Sequence, residues 1–416
     1  MPSIRLGTAS PSTQPTTAKT LALLATLARR AASHSIDLLL LPEAFLGGYP
    51  RGSAFGCVVG GRSTAGRDEF AEYFEQAVDL GDTVGQAGAG AGEKWIRREL
   101  DPTTAAGGEE QKQQRGDGTR EELEKIARET GVFIVTGLVE RAGGSLYCAV
   151  VYVCPTQGII GKRRKVMPTG TERLIWAQGS PATLRAVSTT IRGVRINLAA
   201  AICWESYMPL VRQALYSQNI NLYLAPTADA RDAWLSLMRT VGVEGRCFVV
   251  SSNMAVRAGG GGHGEASEET VSPGGRRMSV AVDGMEIALP RSPTHRRRRK
   301  SVFDEDGNEI VLCCPADEDE NSASSRKPTT NGVAGESSTE TQGGEWSCRG
   351  GSCIVDPFGE VLAGPQWEDD HGIIFADVDF RECIKGRLDL DAAGSYSRND
   401  SFKFSVEGLD LDPLPY

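Results

Sequence analysis

A chain of 416 residues carries 45 Lys+Arg against 54 Asp+Glu, a formal net charge of −9, which argues against a general phosphate-binding role, so nucleic acid is not the expected partner. The apolar fraction of 40%, which becomes about half when tyrosine is left out and glycine counted in, is that of an ordinary globular protein and supports a sizeable core. The 49 glycines exceed ordinary usage, which predicts segments that do not pack.

Residues 1–12 lack a basic start followed by an apolar stretch, so export by a signal peptide is not expected. The longest apolar runs, 38–42 and 198–203, fall far short of the roughly 20 residues a bilayer requires, so no membrane partner is expected. Residues 4–9 alternate weakly as a strand, and from Thr17 the apolar positions Leu21, Leu24, Leu27, Ala28 and Ala31 recur at helical spacing. Residues 36–41 read as a strand covered on both faces, closed by Pro42-Glu43. The glycine-rich, charged stretch 84–118 reads as a loop or a disordered insertion. Thr119 and Glu122 have capping-box spacing at the head of a helix, with Glu121/Lys125 and Glu124/Arg128 paired at i,i+4 and Gly131 as its stop. Residues 132–139 and 146–154 form a hairpin through Gly143-Gly144. Strands are expected over 196–202, 222–225 and 247–252, and helices over 212–217 and 230–243.

From 255 to 345 the composition turns to glycine, arginine, acidic and Ser/Thr tracts that cannot bury enough apolar surface to offset their ordering entropy, so this is read as a disordered insertion. Strands resume at 351–357, 361–363 and 373–378. Strands alternating with helices, and hairpins among them, predict an α/β layered fold. Ten cysteines without paired C-x-x-C spacing read as reduced thiols of an intracellular, cytoplasmic protein, and no metal site is expected.

Three reactive side chains stand at strand ends, where layered α/β folds commonly build their sites. Glu43 ends one strand, Cys203 ends another, and Lys165 follows the strand through Ile160. Each has a plain alternative: a cap or ion pair for Glu43, a buried small hydrophobe for Cys203, and a solvated basic run, 162–165, for Lys165. Cys148, Cys154 and Cys247 are read as buried hydrophobes. Only four histidines are present, so chemistry built on histidine is poorly supplied.

Several separate blocks change those odds. Leu41-Pro42-Glu43-Ala44-Phe45-Leu46-Gly47-Gly48-Tyr49-Pro50-Arg51-Gly52, Arg164-Lys165-Val166-Met167-Pro168-Thr169 with Thr171-Glu172-Arg173-Leu174-Ile175-Trp176, Cys203-Trp204-Glu205-Ser206-Tyr207-Met208-Pro209-Leu210, Glu244-Gly245-Arg246-Cys247-Phe248-Val249 and, after the insertion, Gly350-Gly351-Ser352 through Gly364-Pro365 together resemble the nitrilase branch of the carbon-nitrogen hydrolase superfamily. The match covers roughly residues 3–80, 119–254 and 345–400. The resemblance implies an α-β-β-α sandwich over 1–400, interrupted at 84–118 and 255–345, with 401–416 as a tail. It implies a Glu-Lys-Cys triad in which Glu43 accepts a proton, Lys165 stabilises charge and Cys203 is the nucleophile, with Glu172 as a supporting carboxylate. It also implies a nitrile substrate, no cofactor and a homodimer or larger homo-oligomer. Amidase, cyanide hydratase and a catalytically silent scaffold are the rival readings. Tyr49, Trp176 and Trp204 are candidate substrate-binding residues, with core packing the equal alternative.

Two stretches depart from the family pattern. Gly394-Ser395-Tyr396-Ser397-Arg398 has serine where many nitrilases carry histidine, and Ala177-Gln178-Gly179-Ser180-Pro181 replaces a Gly-Asp-Gly ending. The run from His295 to Lys300 is read as a solvated loop rather than an import or anion patch.

Overall fold

The computed structural model describes residues 2–101, 115–229, 231–258, 279–282, 285–288, 299–303, 309–313 and 346–416. Strand β1 (Ile4–Ala9) leads into helix α1 (Thr17–Ser33) and strand β2 (Leu38–Leu40). Helices α2 (Thr64–Gln76) and α3 (Thr119–Thr130) precede the antiparallel run β3 (Phe133–Ala142), β4 (Ser145–Cys154) and β5 (Gly158–Arg164). Then come β6 (Val187–Ile191), β7 (Val194–Ala200), α4 (Pro209–Ser217), β8 (Leu222–Thr227), α5 (Ala233–Gly245) and β9 (Phe248–Asn253). Short β10 (Ala255–Arg257) is followed much later by β11 (Trp346–Val355), β12 (Val361–Trp367) and β13 (Ile373–Val378).

Among the described residues two large sheets form. One runs β13-β1-β2-β3-β4-β5, the other β10-β11-β9-β8-β7-β6 with β12 on β11. Each has a parallel centre: β1, β2 and β3 in the first, β7, β8 and β9 in the second. Parallel strands are buried on both faces and read as continuous apolar runs. Strand β2 makes the point: Leu38 and Leu40 join the core between the sheets, while Leu39 and Leu41 join the core under α1 and α3, because successive side chains leave a strand on opposite faces. Leu24, Leu27, Ala28 and Ala31 of α1 lie in that outer core with Leu123, Ile126 and Ala127 of α3. On the other side Leu215 of α4 and Trp234, Met238 and Val241 of α5 cover Ala199, Tyr223 and Val249. The order helix, sheet, sheet, helix is the layered α/β architecture expected from the sequence.

Local chemistry departs from expectation in α3. Its N-cap is Gly118, and the Thr119 N–H donates to the Asp117 side chain at 3.0 Å, so no capping box forms. Glu124 is turned inward, accepting from Arg98 (2.7 Å), Arg120 (3.2 Å) and the Ile159 N–H (3.1 Å), while Lys125 pairs with Glu122. Burial of the Glu124 carboxylate among three donors outweighs an exposed i,i+4 pair, which contributes only about 0.5 kcal/mol at most.

Within 84–118 the described residues include a one-turn helix, Glu93–Ile96. Its Trp95 is buried, donating from the indole to Leu80 O at 2.8 Å beneath the Arg120 guanidinium. A second compact unit spans Glu265–Gln342. In it Ser279–Val282 pairs with Met285–Ala288, and Arg299–Phe303 with Glu309–Cys313, both antiparallel. The glycine tract 259–262 and residues 295–298 lie outside the described residues. No helix among the described residues is long and apolar enough to cross a membrane.

Candidate active site

Glu43 lies just beyond β2, where the chain leaves the sheet. Strand β3 approaches so closely there that a Cβ on Gly137 would stand 2.3 Å from Pro42 O and 2.7 Å from Glu43 Cα, so glycine at 137 is a condition for placing the carboxylate. Glu43 is fully buried. Its Oε1 accepts from Lys165 Nζ at 2.6 Å and lies 3.6 Å from Cys148 Sγ, while its Oε2 has no hydrogen-bond partner.

Lys165 follows β5 and its main chain is pinned on both sides. Its N–H donates to Cys148 O at 2.7 Å and its carbonyl accepts the Gly179 N–H at 2.8 Å. A Cβ at Gly179 would meet Arg164 O at 2.6 Å, which accounts for the glycine within the altered 177–181 stretch. Lys165 Nζ also donates to Glu172 Oε2 at 2.7 Å. Glu172 is fixed in turn by the Thr169 N–H on Oε2 (2.7 Å) and the Tyr49 hydroxyl on Oε1 (2.9 Å).

The basic run 162–165 is therefore not a solvated loop. Lys162 pairs with Asp82 and Glu140, Arg163 with Glu205 at 2.6 Å, Arg164 with Glu140 at 2.8 Å, and Lys165 with its two carboxylates. The side chains alternate across a strand end enclosed on both faces, so every cation is met by an internal acid.

Cys203 opens the turn Cys203–Tyr207 after β7. Its φ is +54°, a left-handed conformation that a non-glycine residue adopts only at a cost of order 1 kcal/mol and that clusters at functional sites. Thr227, at the end of β8, places its hydroxyl 3.0 Å from Cys203 Sγ, and its oxygen accepts the Asp229 N–H at 3.1 Å. With that lone pair engaged, the hydroxyl proton is free to point at sulfur.

The electrostatics follow from burial. Burial, then the Glu43 charge, pushes the Cys203 thiol up, against the Lys165 ammonium and the Thr227 hydroxyl, so the resting group is the thiol. Burial also raises Glu43, while the Lys165 charge and hydrogen bond, with the nearby Cys203 thiol, pull it down. For Lys165 burial alone would favour the neutral amine, but Glu43, Cys203, Cys148 and Glu172 outweigh it and hold the ammonium well above the ordinary lysine range. The arrangement is a buried cation between two carboxylates with a thiol beside them, able to move one proton from sulfur to carboxylate and to stabilise negative charge on an atom added to the sulfur.

Glu205 is the site's main framework residue. Oε1 accepts from Arg163 (2.6 Å) and from the N–H groups of Val166 (2.7 Å) and Met167 (3.2 Å), and Oε2 accepts the Ile202 N–H at 2.8 Å. It ties the turn after Lys165 to the residue before Cys203. Glu205→Ala leaves Arg163 buried without its partner and is expected to lower stability by about 3–5 kcal/mol, read as a lower urea midpoint, with Glu205→Gln losing less because it keeps an acceptor oxygen.

Of the three aromatic candidates, Trp176 is buried behind the lysine, with Lys165 Nζ 5.7 Å from the ring centre and its indole donating to Tyr73 Oη at 3.2 Å. Tyr49 stands on Glu172, edge-on to Trp176 at 5.6 Å. Trp204 is half-buried, donates to Asp229 Oδ2 at 2.8 Å and is covered by the Arg231 guanidinium at 4.3 Å. Cys148, Thr227 and the bridging role of Glu205 escaped sequence reasoning. The available signal was the balance of buried charge: strand arginines beside Lys165 require acids, and Glu205 is one of few within reach of a strand end.

The family model for carbon-nitrogen hydrolase matches residues 4–295. The chain is similar to an arylacetonitrilase of Trametes versicolor, 35% identical with 89% of this chain and 85% of the relative covered. It is 33% identical to an aliphatic nitrilase of Sinorhizobium fredii, covering 92% of this chain and 88% of that protein. It is 30% identical to the bifunctional nitrilase/nitrile hydratase NIT4B of Nicotiana tabacum, covering 94% and 82%. Among solved structures, a carbon-nitrogen hydrolase of Helicobacter pylori G27 shares the fold with a TM-score of 0.54 at 14% identity, covering 97% of this chain and all of that one.

Proposed function

The chain belongs to the carbon-nitrogen hydrolase family, in its nitrilase branch, and from that premise we propose that it hydrolyses an organic nitrile to the carboxylic acid and ammonia through a covalent bond to Cys203. The observation that carries the reading is Lys165 Nζ shared at 2.6 and 2.7 Å between two buried carboxylates beside a thiol in a strained turn. A nitrile carbon is a weak electrophile, and a thiolate is the strongest nucleophile among common side chains. Glu43 takes the Cys203 proton as sulfur adds to the nitrile carbon. Charge growing on the nitrogen is met by the Lys165 ammonium in a water-poor site. Glu43 passes the proton it took from Cys203 to that nitrogen, which gives a thioimidate and leaves the carboxylate ionised again. Water deprotonated by Glu43 adds to it, ammonia leaves and a thioester remains. A second water releases the acid and restores the thiol. Glu172 keeps Lys165 charged and fixed, and the Thr227 hydroxyl supports the sulfur as it gains charge.

Tyr49 and Trp204 are the aromatic side chains we assign to the substrate side, because both stay partly accessible beside the triad. A homodimer or larger homo-oligomer belongs to the same reading. Leu210 on α4 and Val243 on α5 are exposed apolar side chains on helices joined by the Arg212–Glu244 pair, and light scattering that gives a monomer mass would remove this part. The activity is tested by incubating the purified protein with aromatic, aliphatic and arylacetonitriles and measuring ammonia, acid and amide. Acid and ammonia in equal amounts are expected. Absence of ammonia with every nitrile, or formamide from cyanide, would overturn the assignment.

A further inference from the structure

Glu43 lies between two thiols, and the reaction uses only one of them. Cys148, on β4, is fully buried, with Sγ 3.6 Å from Glu43 Oε1. Its carbonyl oxygen accepts the Lys165 N–H at 2.7 Å, so one residue fixes the main chain of the lysine and touches the carboxylate that the lysine holds. Oε1 thereby has two donors, Lys165 Nζ and Cys148 Sγ, which fill its two lone-pair directions. Oε2 has none. An unpartnered buried carboxylate oxygen is costly and calls for a reason.

We propose that Cys148 is a positioning residue for Glu43: its thiol donates to Oε1 and so reserves Oε2 as the atom that takes the proton of Cys203. The step moves one proton, from Cys203 Sγ to Glu43 Oε2, and Cys148 keeps its own throughout. Burial, and after it the Glu43 charge, hold the Cys148 thiol well above the ordinary thiol range, so it serves as a donor and does not compete as a nucleophile. The same contact favours the ionised carboxylate, which makes it visible as a shift in pH dependence.

This inference rests on the proposed pairing of Glu43 with Cys203 but not on nitrile turnover, so its test uses iodoacetamide: a protein inert towards every nitrile still reports. Alkylation of Cys203 is followed across the acid and neutral range by mass mapping of the modified peptide. Loss of a donor makes Glu43 easier to protonate, so Cys148→Ala is expected to move the acid limb of the alkylation profile upward by about half a pH unit, a roughly threefold loss of rate on that limb. Cys148→Ser, which keeps a donor, is expected to restore the limb, and in the wild-type protein Cys203 is labelled ahead of Cys148. An unmoved limb in Cys148→Ala, an equal shift in both variants, or labelling of Cys148 as fast as Cys203 would each overturn the proposal.

Discussion

Cys203→Ala is expected to end nitrile turnover, with kcat/KM lower by about 10⁴-fold or more, because removal of a covalent nucleophile disables the machinery that acts through it. No neighbour can substitute. The Thr227 hydroxyl, 3.0 Å from the sulfur, is an alcohol, far less acidic than a thiol, and Cys148 is held protonated on Glu43 Oε1. Cys203→Ser keeps an attacking atom but one much harder to deprotonate, and is expected to fall within about tenfold of the alanine variant. Stability should change little. Alanine has the same Cβ at φ +54°, so the strain of the turn is unchanged and only a small buried sulfhydryl is lost, about 1 kcal/mol. Ammonia release, circular dichroism and the urea midpoint measured on the same preparation check both halves. An alanine variant that releases ammonia at the wild-type rate would place the nucleophile elsewhere.

The layers were legible because each uses a periodicity that composition cannot disguise. The α1 stripe at Leu24, Leu27, Ala28 and Ala31 has helical spacing, and the unbroken leucines of β2 signal burial on both faces. Boundaries were less so. The helix read over 230–243 spans Ala233–Gly245, since Arg246 ends it in a left-handed conformation (φ +45°) that no local glycine announces. Helical spacing pairs Glu124 with Arg128, because it cannot reveal Arg98 and Ile159, which reach Glu124 from elsewhere in the chain.

The site was legible in a different way. Glu43, Lys165 and Cys203 are each ambiguous alone, and the resemblance of the blocks around them to the nitrilase branch, rather than any property of the three side chains, is what points to them. What sequence could not supply is the second layer of contacts. Cys148 stands mid-strand in a run of β-formers, Thr227 closes another, and nothing in either neighbourhood marks a polar role. Their contacts arise from register: β4 pairs Cys148 with Val139 of β3, and β8 lies parallel to β7, which leads to Cys203. Such cross-strand coincidences depend on strand order and register within each sheet, a long-range result of packing. The basic run 162–165 misled for the same reason, because charge runs are usually solvated and only the enclosing layers reverse that expectation.

Lys165→Met is the sharper test of the electrostatics, because it changes activity and stability in a pH-dependent way that truncation of a packing residue would not. For activity, the ammonium that meets charge on the nitrile nitrogen disappears, and kcat/KM is expected to fall by about 10²–10³-fold or more. For stability, two buried carboxylates, Glu43 and Glu172, lose the cation 2.6 and 2.7 Å away, a loss of about 3–5 kcal/mol when one partner of a buried pair is removed. The pH dependence carries the sign. In the wild-type protein burial raises Glu43 and the Lys165 charge is the largest effect opposing it, so without the lysine the folded-state pKa climbs further above its unfolded value. A carboxyl with a raised folded pKa binds more protons folded than unfolded. Its stabilisation is fully present below the unfolded pKa and is lost as pH rises through the folded one. Lys165→Met is therefore expected to show its smallest stability deficit at acid pH and a growing one towards neutrality, read as the gap between wild-type and variant urea midpoints. A gap that stays constant across that range would mean that the carboxylates do not depend on Lys165 for their charge, and the electrostatic account of the site would fail with it.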